Sequence, residues 1–212
     1  MLMKKNIAVL VSGGGSNLQS LIDSQKNTYF QGEIKLVISN NKNAYGLERA
    51  KQNQIPAFYI NKQEYPQNED YDQQILKLLK EYQIDLIVLA GYLKYVTPIL
   101  IDAYKNKIMN IHPALLPAFG GKNFYGMKVH QALYERGAKI SGATVHFVDA
   151  GQDTGPIIVQ ESIPLDQNWQ PEDIQKAVLK VEHKILPLAV KYFCENRLTV
   201  EKTRVYIKDK SE

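Results

Sequence analysis

Residues 86–90 read LIVLA, five apolar side chains in a row between Asp85 and Gly91. A strand that is apolar on both faces has to be covered on both faces, and central strands of parallel sheets flanked by helices meet that demand. The rest of the first half agrees with this. Strand-length apolar runs at Ile7–Val11, Ile34–Ile38 and Ala57–Ile60, and a further strand at Lys107–Asn110, alternate with helical patterns. Helices are predicted from about Ser16, with Leu18, Leu21 and Ile22 on one face, over Ala44–Gln52, and over Tyr71–Tyr82 with Ile75, Leu78, Leu79 and Tyr82 at helical spacing. Such alternation predicts an α/β fold: an open, mostly parallel Rossmann-like sheet with right-handed crossovers and helices on both faces.

The second half changes character. Met127–Arg136 reads as a helix, and 142–148 and 155–163 read as strands joined by the polar loop DAGQDT. So short a connection predicts antiparallel pairing. Pro171 opens a long helix with Glu172 and Asp173 in its first turn. Ile174, Ala177, Val181, Ile185 and Leu188 form its expected core stripe, and Pro187 is expected to kink or end it. The tail from Arg197 reads as an edge hairpin or irregular chain. A length of 212 residues sets one domain as the expectation.

Charge and cysteine usage exclude several classes of function. The net charge of +4 is spread over interspersed basic and acidic residues, with no stripe suited to nucleic acid. Cys194 is the only cysteine, so neither an internal disulfide nor a thiolate metal cluster can form; at the end of a helical pattern it reads as a half-buried structural thiol. No apolar run approaches the ~18 residues of a membrane span. The N-terminal run is too short for a signal peptide, and a cytoplasmic protein is expected.

Gly13, Gly14 and Gly15 join the first strand to the first helix. Such a turn lets backbone N–H groups approach an anion at the positive end of the helix, and Ser16 and Asn17 add side-chain donors. A dinucleotide fingerprint from Gly13 needs a sixth-place glycine, where Leu18 stands, and the second strand ends VISNN without the acidic residue that would hold a ribose. No Gly-Lys-Ser/Thr follows, so the P-loop pattern fails too. A site for a phosphate monoester remains, beside the alternative of a tight turn that binds nothing.

Asn110 and His112 stand two apart at a strand end, so both side chains face one pocket. Pro113 and Pro117 stiffen the loop that follows. The loop VDAGQDTGP offers Asp149 and Asp153, either of them a solvated turn residue beside glycine or, for Asp153 before Thr-Gly-Pro, a carboxylate held inward. His146 reads as a core or supporting histidine, and His130 and His183 as partner-bonded or exposed. The His and carboxylate spacings match no zinc motif, so no metal is implied, and no G-x-S-x-G elbow is present.

SGGGSN, NIHPALLP and GATVHFVDAGQDTGPIIVQ, in this order over residues 5 to 195, resemble the folate-dependent formyltransferases. SGGGSN narrows the resemblance to the branch that acts on glycinamide ribonucleotide. On this resemblance residues 1–212 are a single formyltransferase domain: a phosphate-binding half (5–110), a folate and catalytic half (111–195) and a tail (196–212). It implies 10-formyltetrahydrofolate as co-substrate without a metal, and Asn110, His112 and Asp153 as the catalytic trio, with Asp153 near His112 expected to raise the imidazole pKa. It further implies Gly14, Gly15, Ser16 and Asn17 around the substrate phosphate, and Glu182 on the ribose. Leu93, Lys94, Tyr95, Val96, Asp149 and Asp153 are implied around the folate, with Lys94 standing where an arginine is common and Tyr95 where a smaller aliphatic residue is common. AFGGKNFYGMKVH resembles a loop that orders with ligand. The partners implied are the two small molecules, for a monomer or homodimer that engages no nucleic acid and no membrane. Formyltetrahydrofolate deformylase shares the trio but carries an additional N-terminal domain. A phosphate-binding module without chemistry is the reading of a different class.

Overall fold

The computed structural model describes residues 4–209. Among them, nine strands lie in one sheet. β1 (Lys5–Val11), β2 (Gly32–Ser39), β3 (Ala57–Tyr59), β4 (Leu86–Leu89) and β5 (Ile108–His112) are mutually parallel and stand in the order β3-β2-β1-β4-β5. β6 (Ile140–Phe147) then runs antiparallel to β5, and β7 (Ile157–Pro164) antiparallel to β6. The terminal hairpin, β8 (Leu198–Glu201) and β9 (Arg204–Ile207), joins β7 through a single parallel pairing of Ile157 with Arg204. The helices are α1 (Ser16–Lys26), α2 (Tyr45–Gln52), α3 (Asn68–Glu81), α4 (Pro98–Ala103), α5 (Met127–Glu135) and α6 (Pro171–Cys194).

Alternation along the central strands builds two cores. Ile7, Val9 and Val11 of β1 and Leu86 and Val88 of β4 face one layer, where they meet Leu18 and Leu21 of α1, Val129 of α5 and Ile185 of α6. Ala8 and Leu10, with Ile87 and Leu89, face the other and meet Tyr71, Ile75 and Leu79 of α3 and Leu100 of α4. LIVLA is therefore split between two cores residue by residue, which is why none of it can be polar. Burying each such Leu, Ile or Val side chain stabilises the fold by about 1.5–3 kcal/mol.

Three expectations change. α6 does not end or break at Pro187 but runs on to Cys194. The missing N–H and ring clash of an interior proline cost about 3 kcal/mol, offset here by the burial of Ile185, Leu186, Ala189 and Val190 around it. The stripe of α6 is also wider than read: Val178, Leu186, Ala189 and Val190 are buried, while Ala177 and Leu188 are only half-buried. This follows from its neighbours, since α6 packs on β6 and on both α1 and α5. Cys194 is fully buried, 1% exposed, and burial pushes its thiol up to about 12. α4, opened by Pro98, and a single 3-10 turn at Lys62–Glu64 had no counterpart in the sequence reading.

Because Ile185 is wholly buried between α6 and the sheet layer, Ile185→Ala is expected to lower stability by about 2–5 kcal/mol. A urea melt checks this, and a loss under about 1 kcal/mol contradicts the packing described.

Candidate active site

The strand order reverses between β1 and β4, because the chain leaves them for neighbours on opposite sides. Open α/β sheets form their ligand crevice at such a switch point. A cleft of about 890 Å³ lies there. It is lined by Gly13–Asn17 after β1, Leu89–Val96 around the end of β4, Asn110–Pro113, the segment 121–126, most of 148–153, and Glu182 of α6. All the residues singled out from the sequence, from Gly14 to Glu182, line this one cleft.

The glycine turn is fixed from α2. Gly46 N–H donates to the Gly13 carbonyl (3.0 Å), and Arg49 Nε donates to the Gly14 carbonyl (2.8 Å). Gly15 precedes α1 at φ 70°, and a Cβ there would sit 2.8 Å from the Gly46 Cα, so no side chain fits. No side chain caps the start of α1. With its carbonyls held on the α2 side, the turn retains N–H groups to offer an anion. Asn17 departs from expectation. Its amide nitrogen donates to Glu182 Oε2 at 2.6 Å rather than standing free, and its Oδ1 is buried without a partner. Burial pushes the Glu182 carboxyl up to about 7 despite that hydrogen bond.

Ser12 ties this turn to the lip after β4. Its hydroxyl donates to Asn40 Oδ1 (2.7 Å) and accepts the Leu93 N–H (2.8 Å), and its own N–H donates to the Gly91 carbonyl (3.2 Å). Along that lip Leu93 is exposed and Val96 buried. The Lys94 ammonium reaches out to Asn68 Oδ1 (3.0 Å) and lies 4.1 Å from the Tyr71 ring centroid. The Tyr95 hydroxyl donates to the Ala150 carbonyl on the opposite lip. Asp149 accepts from Gly151 N–H (3.0 Å) and Thr154 Oγ1 (2.7 Å), which braces its own loop.

The polar centre is assembled by strand register. Asn110 pairs with His146 and His112 with Thr144 across β5 and β6, so all four side chains share a face. Asn110 Nδ2 lies 3.2 Å from His146 Nε2, whose Nδ1 faces the Phe147 carbonyl at 2.8 Å. A carbonyl only accepts, so His146 carries its proton on Nδ1 and accepts from Asn110. His112 Nε2 likewise donates to the Phe119 carbonyl (2.7 Å), leaving Nδ1 at 3.5 Å from Asp153 Oδ2. Asp153 Oδ1 is 3.6 Å from His146 Nε2, and Oδ2 accepts the Gly121 N–H at 2.9 Å. Asp153 holds this position at φ 57°, a left-handed conformation that Asp tolerates better than most residues. The prolyl bond Leu116–Pro117 is cis, and Thr144 Oγ1 holds the loop before it by accepting from Leu116 N–H and donating to the Ala114 carbonyl.

The electrostatics correct one expectation. Burial outweighs the attraction of Asp153 and of the Phe119 carbonyl, so the His112 pKa is lowered rather than raised. Burial opposes ionisation of Asp153 as well, but the contact with His146, the Gly121 N–H hydrogen bond and the adjacent His112 hold its pKa below the usual carboxylate value. At neutral pH the resting pair is thus neutral imidazole beside carboxylate. His130 and His183 also differ from expectation. His130 lines the cleft, is 2% exposed, and has a buried Nδ1 without a partner; burial and nearby His112 lower its pKa to about 4. His183 is half-buried with Nε2 unpartnered. The contributions of the Phe119 carbonyl and Gly121 N–H could not be read, because they are backbone contacts of a loop. That of His146 could have been, from the register opposite Asn110. Among the described residues no three His, Cys, Asp or Glu side chains are grouped to hold a metal ion, and no helix is long and apolar enough to cross a membrane.

The crevice has a glycine turn at one end and an Asn–His–Asp centre at the other, and the chain that builds it matches a known family. The formyl transferase family model matches residues 5–190, and the chain belongs to that family. Its relatives within that family include phosphoribosylglycinamide formyltransferases. The one from Haemophilus influenzae is 40% identical over 98% of this chain and 95% of its own length. The chloroplastic one from Arabidopsis thaliana is 41% identical over 92% of this chain, which spans 67% of that protein. The crystal structure of glycinamide ribonucleotide transformylase 1 from Symbiobacterium toebii superimposes with a TM-score of 0.93 at 39% identity, covering 99% of this chain and 96% of that one. A formyltetrahydrofolate deformylase from Pseudomonas syringae is more distant: 26% identical, TM-score 0.86, with 66% of its chain covered.

The raised Glu182 pKa has a consequence for stability. A carboxyl whose folded pKa exceeds its unfolded value contributes stability that is present at low pH and lost as pH rises through the folded pKa. With Glu182 moving from 4.5 to about 7, stability is expected to fall by on the order of 3 kcal/mol between pH 4.5 and 8 on its account. Denaturant melts across that range should show the decline in the wild type and a flatter profile in Glu182→Gln. Identical slopes in the two proteins contradict it.

Proposed function

We propose that the chain transfers the formyl group of 10-formyltetrahydrofolate to the amine of glycinamide ribonucleotide, giving formylglycinamide ribonucleotide and tetrahydrofolate in purine biosynthesis. The observation that carries this reading is one cleft with a side-chain-free phosphate turn at one end and Asn110, His112 and Asp153 at the other. The formyltetrahydrofolate deformylases share the centre, but attack by water makes no use of an anchor for a second substrate's phosphate.

In this reading the N–H groups of Gly14, Gly15, Ser16 and Asn17 receive the phosphate, and Glu182, oriented by Asn17, accepts from the ribose hydroxyls. The lip from Leu93 to Val96 and the loop bearing Asp149 and Asp153 enclose the folate, with the Lys94 ammonium directed to Asn68. The amine attacks the formyl carbon, the carbonyl π pair moves to oxygen, and an oxyanion forms. Asn110 Nδ2 and His112 Nε2 are the donors that stabilise it, each such donor being worth about 2.7–4 kcal/mol of barrier. The His112 donor now engages the Phe119 carbonyl, so segment 118–121 yields it on substrate binding.

The amine nitrogen must shed a proton and the departing folate nitrogen must gain one. Neutral His112 has an acceptor, Nδ1, facing Asp153. A proton taken there gives an imidazolium beside a carboxylate, which stabilises it until collapse of the oxyanion expels tetrahydrofolate and the proton passes to its nitrogen. Holding both substrates in register contributes several kcal/mol more. The reading also implies a cytoplasmic enzyme acting as a monomer or homodimer.

Incubation with glycinamide ribonucleotide and the formyl donor, followed by absorbance, should show deformylated folate only when the ribonucleotide is present. Release without it points to the deformylase, and no release under any condition to a binding module. His112→Ala and Asp153→Ala are each expected to lower kcat about 10²–10³-fold with small changes in KM; near-normal turnover removes that residue from the chemistry.

The pH dependence has a defined sign. Neutral His112 is the proton acceptor and its pKa is lowered, so kcat/KM is expected to be flat near neutrality and to fall only at pH below 6.5. Asp153 supports the imidazolium, so Asp153→Asn should move that acidic limb to still lower pH. A limb that rises, or does not move, contradicts the assignment.

A further inference from the structure

The Tyr95 side chain makes a contact that crosses the cleft. Its ring is 45% exposed at the lip after β4, yet its hydroxyl donates to the Ala150 carbonyl, 55 positions away on the loop after β6. That loop is already closed on itself by Asp149, which accepts from Gly151 N–H and Thr154 Oγ1. Three residues beyond Ala150, Asp153 adopts its left-handed conformation and meets His112, His146 and Gly121 N–H.

We propose that the Tyr95 hydroxyl is a positioning group for the donor half of the site: it straps the 148–153 loop to the facing lip and so pre-forms the folate pocket. This rests on the folate reading of the cleft. The argument is one of ordering. A loop held only from its own two ends samples many conformations, and a ligand that must order it loses affinity by that amount. A hydrogen bond from a residue anchored elsewhere removes part of that loss in advance. The lip itself is firm, since Leu93 N–H is held by Ser12 Oγ, Val96 is buried, and Thr97 N–H donates to the buried Asp72 carboxylate at 2.7 Å. Tyr95 therefore ties the middle of the loop, between Val148 and Asp153, to a fixed point. The glycine turn lies at the other end of the cleft and takes no part in this contact, so the effect falls on one substrate alone.

Tyr95→Phe removes the strap and keeps the ring; Tyr95→Val removes both. Titration calorimetry with 5-formyltetrahydrofolate, a non-reacting folate, is expected to show binding weakened about fivefold in both variants, the scale of one neutral hydrogen bond. KM for glycinamide ribonucleotide should be unchanged, and amide exchange should accelerate over residues 149–154 but not over 13–18. Wild-type affinity and exchange in Tyr95→Phe overturn the proposal. So does a loss seen only in Tyr95→Val, which assigns the effect to the ring, or equal damage to both substrates with a lowered Tm. Should the wild type bind no folate, the reading of the cleft fails before the strap is tested.

Discussion

The Asp153 carboxylate is the point on which the geometry of the cleft depends. It is one side chain on a loop, yet it accepts the Gly121 N–H and lies beside both His112 and His146. Through these contacts it joins three pieces of chain that follow different elements. A carboxylate taken from water to such a place is costly unless neighbouring N–H groups replace its hydration. The Gly121 N–H does part of this, and ring nitrogens of His112 and His146 stand 3.5 and 3.6 Å away, so a proton gained by either ring meets the charge at once. Its neighbours are in turn dictated by its charge: His112 and His146 each present a ring nitrogen to it because their other nitrogen is occupied by a backbone carbonyl.

The sheet makes this arrangement affordable in stability. Apolar residues on both faces of β1 and β4 are buried almost completely, and they secure the fold without help from the polar centre. The cleft can then carry uncompensated groups: the Asn17 Oδ1, the His130 Nδ1 and a Glu182 carboxyl pushed up to about 7. Each opposes folding by an amount small beside the two cores. Such groups gather around one crevice, as expected where a fold gives up stability for a binding surface.

Much of the fold was legible because its determinants are local. LIVLA, the periodic helices and the glycine turn each state their structure within a window of about ten residues. The polar triplet was legible for another reason, since Asn110 and His112 share a strand face and Asp153 sits in a turn, while the resemblance supplied the common purpose proposed for them. What escaped was set by competition between distant parts. Pro187 remains helical because the packing around it outweighs the lost hydrogen bond. The His112 pKa falls because burial outweighs a neighbouring charge, a balance no spacing reveals. Asn17 turns its amide to Glu182, 165 positions away, and α4 is a six-residue helix too short to show a period.

The Ser12 hydroxyl, joining the end of β1 to the end of β2 through Asn40 and to the lip after β4 through Leu93, makes the cleft a ruler. The gap between the glycine turn and the opposite lip is set by one short side chain on the Leu93 N–H and by the Ser12 N–H on the Gly91 carbonyl, not by long side chains that can lengthen or swing. With the phosphate on the turn, as proposed, a ribonucleotide whose amine stands one bond nearer to its phosphate, or one bond farther, can still seat its anion there. Its nitrogen then stops short of the formyl carbon or overruns it. Selectivity for the acceptor is in that sense a matter of length, measured from the glycines, before any group recognises the glycinamide itself.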